Sequence, residues 1–111
     1  MKSVTKDIVE EITDAIVREV SPVRIILFGS RARGDAQPDS DVDLMVVEQG
    51  PFGPGHTRRE ELSRIRHALA GAMVPIDILV YTTEEAEKWK NAKNHVVARA
   101  HREGKVLYDR T

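Results

Sequence analysis

Residues 23–44 read VRIILFGSRARGDAQPDSDVDL and join an apolar segment to a turn rich in glycine, arginine and carboxylates. Residues 23–28 are apolar apart from Arg24 and rich in β-branched side chains, which predicts a strand covered on both faces. Gly29 ends that strand, and residues 41–47 predict a second one. The stretch therefore brings polar, charged groups to the end of a buried strand.

Asp41 and Asp43 are two residues apart on the second predicted strand, so their side chains leave the same face. This register is firm, because a one-residue slip would bury both carboxylates. The positions expected to face the core are Val42, Leu44 and Val46. Two carboxylates this close repel each other, and a hard divalent cation such as Mg²⁺ or Mn²⁺ offsets that repulsion while using oxygen ligands alone. The pair predicts a metal site.

A third carboxylate, Asp77, lies inside the apolar segment PIDILVY, residues 75–81, which predicts a third strand. Ile76 and Ile78 would point to one side of this strand and Asp77 to the other. An unpaired aspartate there would be costly to desolvate, so we expect a cation or a hydrogen-bonded partner. If this strand lies beside residues 41–47, Asp77 faces the other two carboxylates. It would then be either a metal ligand or the base that takes a proton from an incoming hydroxyl.

The Gly29-Ser30 turn is suited to an anion. Glycine lets the backbone approach a ligand closely, and a short helix starting at Ser30 or Arg31 would point free N–H groups and a positive dipole end at it. Arg31 and Arg33 add fork-shaped donors, at least one of which could meet a phosphate. Phosphate and metal would then be bound side by side, as attack on a nucleotide phosphorus requires.

Simpler interpretations exist for several of these residues. Arg31 and Arg33 could instead pair with Asp35 or Asp39, and Ser40 could brace the turn rather than touch a substrate. Glycine-serine after a strand is on its own usually a turn, and Asp-x-Asp is on its own usually a solvated strand end. The functional hypothesis therefore depends on the conjunction of both motifs with Asp77.

The rest of the chain alternates helical and strand patterns, which predicts one α/β domain over residues 1–111, with helices packed against a small mixed sheet. Such sheets tend to place ligands at the carboxyl ends of their strands. The remaining predicted features are a helix from Ile8 to before Ser21, capping boxes at residues 57–60 and 82–85, helices to about residue 103, a cap at Gly104 and an edge strand at residues 105–109.

Composition excludes several classes of protein. Seventeen basic and eighteen acidic residues give a formal charge of −1, so no global field would attract the chain to nucleic acid or membranes. The absence of cysteine excludes disulfides, zinc-thiolate sites and thiol nucleophiles. The N-terminal segment is charged and no stretch approaches a membrane span, so a cytoplasmic location is expected.

The pattern Gly29-Ser30, ten residues, Asp41-Val42-Asp43 resembles the signature of the DNA polymerase β-like nucleotidyltransferase superfamily. The short chain, Asp77 and the ending GKVLY are similar to its minimal, MNT-type members. The resemblance covers nearly all of the chain and implies the polymerase β-like fold. It also implies the site residues: Gly29 and Ser30 for the nucleoside triphosphate, Asp41 and Asp43 for the catalytic metals, and Asp77 to complete the triad. Further nucleotide-binding candidates are Arg31, Arg33 and Ser40.

The same resemblance implies a function and a partner. Minimal members are often encoded beside a HEPN-domain toxin and act as its antitoxin, and some of them transfer AMP from ATP to a tyrosine of that toxin. The resemblance therefore implies transfer of NMP, here expected to be AMP from ATP, to a hydroxyl of such a partner. The alternative is a non-catalytic module that neutralises the toxin by forming a complex. Trp89, the last helices and the edge strand at residues 105–109 are candidate contact surfaces for a homo- or hetero-oligomer.

Overall fold

The computed structural model describes residues 5–38 and 40–110, which form a four-stranded mixed sheet between two layers of helices. The strand order is β3-β2-β1-β4; β1 is antiparallel to both of its neighbours, and β2 is parallel to β3. The elements in chain order are α1 (Lys6–Val20), β1 (Arg24–Phe28), α2 (Ser30–Arg33), β2 (Val42–Glu48), α3 (Arg58–Ala68), β3 (Ile76–Thr82), α4 (Thr83–Trp89), α5 (Val96–Glu103) and β4 (Lys105–Asp109). The predicted α/β class and edge strand are confirmed.

Helix starts are fixed by side-chain caps. The Thr5 hydroxyl accepts the Ile8 amide at the start of α1. The predicted capping box at residues 82–85 is complete, because the Thr82 hydroxyl and the Glu85 carboxylate each accept the other residue's amide. The box at residues 57–60 is half formed: the Thr57 hydroxyl accepts the Glu60 amide at 3.1 Å without a return bond between these described residues.

The sheet separates two apolar cores. Helices α1 and α3 pack on one face, where Val42, Leu44 and Val46 are fully buried as predicted. Helices α4 and α5 cover the other face, where Met45 and Val47 are buried. Because strand side chains alternate between faces, Asp43 falls on the α4/α5 face.

The C-terminal cap of α5 positions the edge strand. The Gly104 N–H donates to the Ala100 carbonyl at 2.8 Å, and its φ of −79° is extended rather than left-handed. A side chain at Gly104 would run into that carbonyl and into Ile26. Glycine is therefore required here for close packing of α5 onto β1, and the predicted cap is confirmed with a different backbone conformation.

Within residues 5–38 and 40–110, none of the helices combines the length and the apolar character needed to cross a membrane.

Candidate active site

The site lies at the end of the sheet where β1 finishes and where β2 and β3 begin. Asp43 is paired in register with Phe28 of β1 on one side and with Asp77 of β3 on the other. The candidate residues therefore lie at the carboxyl end of β1, as predicted for Gly29-Ser30, and at the amino ends of β2 and β3. The reason is the mixed topology, since β1 runs opposite to β2 and β3.

Three carboxylates converge at this end of the sheet. Asp41, Asp43 and Asp77 each offer an oxygen, and these oxygens lie within 4.8 Å of one another. Asp41 immediately precedes β2 rather than lying on it, which corrects the predicted strand start by one residue. Asp77 is exposed, so the predicted desolvation penalty does not apply to it. The parallel register of β2 and β3 is what brings Asp77 to the other two.

The cluster has the electrostatics of a cation site. Burial, followed by the neighbouring charges of Asp77 and Asp41, raises the pKa of Asp43, while Arg99 and Arg33 act in the opposite direction. Three oxygen donors that repel one another form the donor set that hard divalent cations prefer. The residues present therefore fit Mg²⁺ or Mn²⁺.

Gly29 lies directly against this cluster. Its φ is +75°, and a side chain added there would collide with the Asp43 carboxylate. The predicted short helix begins at Ser30, and the Gly29 carbonyl accepts the amides of Ala32 and Arg33, both at 3.1 Å. The remaining amides of this first turn, those of Ser30 and Arg31, are the donors that the turn can present to an anion.

The turn and the cluster open into one cavity. It has a volume of about 390 Å³, and its polar lining is formed by Gly29, Ser30, Asp43, Asp77, Arg33 and Arg99. The structure thus brings together five of the predicted site residues, with Asp41 beside the cavity in the carboxylate cluster.

Arg31 and Ser40 instead hold the loop between the two motifs. The Arg31 guanidinium donates to the carbonyls of Gln37, Pro38 and Ser40, the last at 2.6 Å from Nη2. The Ser40 hydroxyl accepts the Gln37 amide at 2.9 Å. The Ser40 contact matches its simpler interpretation, whereas Arg31 bonds to backbone carbonyls rather than to Asp35. Together these contacts hold the loop that precedes Asp41, and nucleotide contact by either residue stays a prediction.

Arg33 has two carboxylate partners among the residues that the structure describes. It forms ion pairs of 3.2 Å with Asp35 and with Glu103, and these charges raise its pKa. The alternative pairing with Asp39 lies outside the described residues. Arg33 also lines the cavity, so its predicted phosphate contact would have to compete with both ion pairs.

A family model of the nucleotidyltransferase domain matches residues 9–100. This chain belongs to the nucleotidyltransferase domain family. A similar crystal structure is that of a "putative nucleotidyltransferase" from Sulfolobus solfataricus, with a TM-score of 0.65 and 20% identity over 94% of this chain and 79% of that one. A toxin-antitoxin structure with AMP-PNP has a TM-score of 0.53 and 21% identity over 90% of this chain and 73% of that one. Likeness at these identities establishes the fold. No functionally curated protein matches the sequence.

Sequence reasoning did not identify Arg99 as a residue of the nucleotidyltransferase site. Arg99 lies on α5, lines the cavity and contributes positive charge at Asp43. No motif marks it, because its position depends on how α5 packs back across β1 after an intervening segment. A stripe of basic residues at helical spacing, Arg99 and Arg102, was the one available signal.

Proposed function

We propose that this nucleotidyltransferase domain, spanning residues 1–111, is metal-dependent and transfers NMP from a nucleoside triphosphate to a hydroxyl group of a partner protein. The observation that carries the proposal is the convergence of Asp41, Asp43 and Asp77 within 4.8 Å, with Asp43 and Asp77 lining one cavity together with the Gly29-Ser30 turn. A non-catalytic protein has no chemical need for three converging carboxylates.

Each residue has a role in this proposal. Asp41, Asp43 and Asp77 would hold Mg²⁺ or Mn²⁺, which when bound supplies positive charge to the phosphate oxygens and to the attacking oxygen. The backbone at Gly29 and Ser30 would bind the triphosphate through its N–H groups. The acceptor oxygen forms a bond to the α-phosphorus, the bond to pyrophosphate breaks, and the exposed Asp77 carboxylate can accept the hydroxyl proton.

The nucleotide and the partner follow from the resemblance of the motifs. We take the transferred group to be AMP from ATP, and the acceptor to be a HEPN-domain toxin for which this protein is the antitoxin in the cytoplasm. The likeness in fold to a toxin-antitoxin structure with AMP-PNP supports an adenine nucleotide and a toxin partner, and the HEPN identity of that partner rests on the resemblance of the motifs alone.

The direct test incubates the purified protein with ATP labelled at the α-phosphate, Mg²⁺ and the protein encoded by the adjacent gene. Label is expected on the partner with the wild type and to be lost with the double variant Asp41→Asn/Asp43→Asn. Asp14→Asn, a change at an exposed position on α1, is the matched control and should leave transfer intact.

The same experiment tests the non-catalytic alternative. Absence of label transfer by the wild type, together with full toxin neutralisation by Asp41→Asn/Asp43→Asn, would replace the enzymatic proposal with neutralisation by complex formation.

A further inference from the structure

A second cavity adjoins the proposed active site along α5. It has a volume of about 310 Å³ and is lined by Asn94, His95, Val96, Arg99 and Arg102. Val96 and Arg99 line the active-site cavity as well, so the two cavities are neighbours that share one wall. We call this second cavity the α5 shelf.

The shelf is positively charged. Arg99 and Arg102 are three residues apart on α5 and therefore project from the same side of the helix. No carboxylate is among the residues that line the shelf. A basic surface of this kind is a local feature, because the whole chain carries a formal charge of −1.

The charges of the shelf are available for a ligand. Arg99 has one ion pair, a loose one of 3.9 Å with Glu103, and more than half of its side chain is exposed at 56%. Arg102 is exposed and has no hydrogen bond or ion pair within residues 5–38 and 40–110. Arg33 differs, since two carboxylates at 3.2 Å already neutralise it.

The position of Arg102 separates the shelf from the nucleotide. Arg102 lines the shelf and not the neighbouring cavity. That cavity is lined by the Gly29-Ser30 turn and by the carboxylates of Asp43 and Asp77. Among the described residues that line the shelf, the one aromatic ring is that of His95, and one face of this ring is already stacked against Trp89 at 4.7 Å. Two available arginines and a net charge of −1 provide less basic surface than a nucleic-acid backbone requires.

We propose that the α5 shelf binds an acidic segment of the acceptor polypeptide and so brings the acceptor hydroxyl to the adjoining carboxylates. This inference rests on the proposed function, because it assigns the docking of the acceptor in that reaction. Arginine forks bind carboxylates through paired, charge-assisted hydrogen bonds, and the two arginines together favour a segment with two or more Asp or Glu residues.

The test reverses one charge at a time and measures the KM for the acceptor and the affinity for ATP separately. Arg102→Glu is expected to raise the KM for the protein encoded by the adjacent gene about tenfold, with ATP affinity within twofold of the wild type. Arg102→Lys should restore only part of the acceptor affinity, since it keeps the charge but not the fork. The matched control is Arg66→Glu, an equal charge reversal at an exposed position on α3, which packs on the other face of the sheet.

Direct binding of that protein, without ATP, keeps this test independent of catalysis. Wild-type affinity should fall as NaCl is raised to about 0.3 M, and Arg102→Glu should reduce both the affinity and its salt dependence. If the wild type transfers no label but binding still depends on Arg102, the result would contradict the proposed reaction and support the shelf as an acceptor-binding site. Equal acceptor binding by wild type and Arg102→Glu, no binding at all, or an equal loss of ATP affinity would overturn the shelf as an acceptor site.

Discussion

At the scale of single residues, Gly29 places the sharpest steric demand on the proposed site. Replacing it with alanine forces a side chain into a backbone held at φ +75° and toward the Asp43 carboxylate. We expect Gly29→Ala to lower the free energy of unfolding by about 1–3 kcal/mol and to displace Asp43. Mn²⁺ affinity, measured by electron paramagnetic resonance, should fall together with label transfer.

Gly34 provides a matched control for this prediction. Its φ is +86°, yet a side chain there would meet no atom within 4 Å. Gly34→Ala should therefore show the backbone destabilisation alone, read from urea unfolding, and retain Mn²⁺ affinity. An equal loss of Mn²⁺ affinity in the two variants would mean that close approach to Asp43 is unimportant.

At the scale of elements, Arg58 joins the start of α3 to the junction of β3 and α4. Its guanidinium donates to the Val80 carbonyl at 2.6 Å, forms two bonds to the Glu85 carboxylate and lies 5.0 Å from the Phe52 ring centroid. These bonds lower the pKa of Glu85 and raise that of Arg58. Arg58 is therefore a specific bridge between these elements.

We expect Arg58→Ala to lower the free energy of unfolding by about 2 kcal/mol, because it leaves the Val80 carbonyl and the Glu85 carboxylate without this donor. Arg58→Lys should recover only part of the loss, since one ammonium cannot replace the fork. Arg59→Ala, at the exposed neighbouring position, should change unfolding by less than about 0.5 kcal/mol. Urea unfolding at neutral pH compares the three variants; similar losses for Arg58→Ala and Arg59→Ala would contradict the bridge.

The elements and most of the cluster could be predicted because local patterns encode them. Alternation identified Val42, Leu44 and Val46 as core residues, and the Gly-Ser and Asp-x-Asp spacing indicated which groups meet. Contacts between distant residues could not be predicted. Arg58 reaches Glu85 across 27 residues, and Arg99 reaches the site through the packing of α5, neither of which leaves a periodic signal.

At the scale of the whole molecule, the buried carboxyl group of Glu48 makes stability depend on pH. Glu48 ends β2 and is 5% exposed, and Glu61 of α3 is 3% exposed. Within the described part of the chain, one oxygen of each has no hydrogen-bond partner. Burial first, and then the charge of Glu61, raise the pKa of Glu48 to about 7, although Arg64 acts in the opposite direction. Between pH 4.5 and about 7, Glu48 therefore keeps its proton in the folded state and loses it in the unfolded chain.

This linkage predicts a loss of stability as the solution becomes alkaline. The pKa of Glu48 is 4.5 when unfolded and about 7 when folded, so its stabilising contribution is complete below 4.5 and disappears as pH rises through 7. Between about pH 5 and pH 9 the free energy of unfolding should fall by on the order of 2–3 kcal/mol from this group. Glu48→Gln keeps the position neutral and should flatten that decline in urea titrations with a chelator present. The raised pKa of Asp43 contributes the same pH dependence to the wild type and to Glu48→Gln, so the difference between their pH curves isolates Glu48. The control is Glu10→Gln, a change at an exposed position, which should match the wild type. If the unfolding free energies of wild type and Glu48→Gln changed in parallel with pH, Glu48 would ionise freely in the fold.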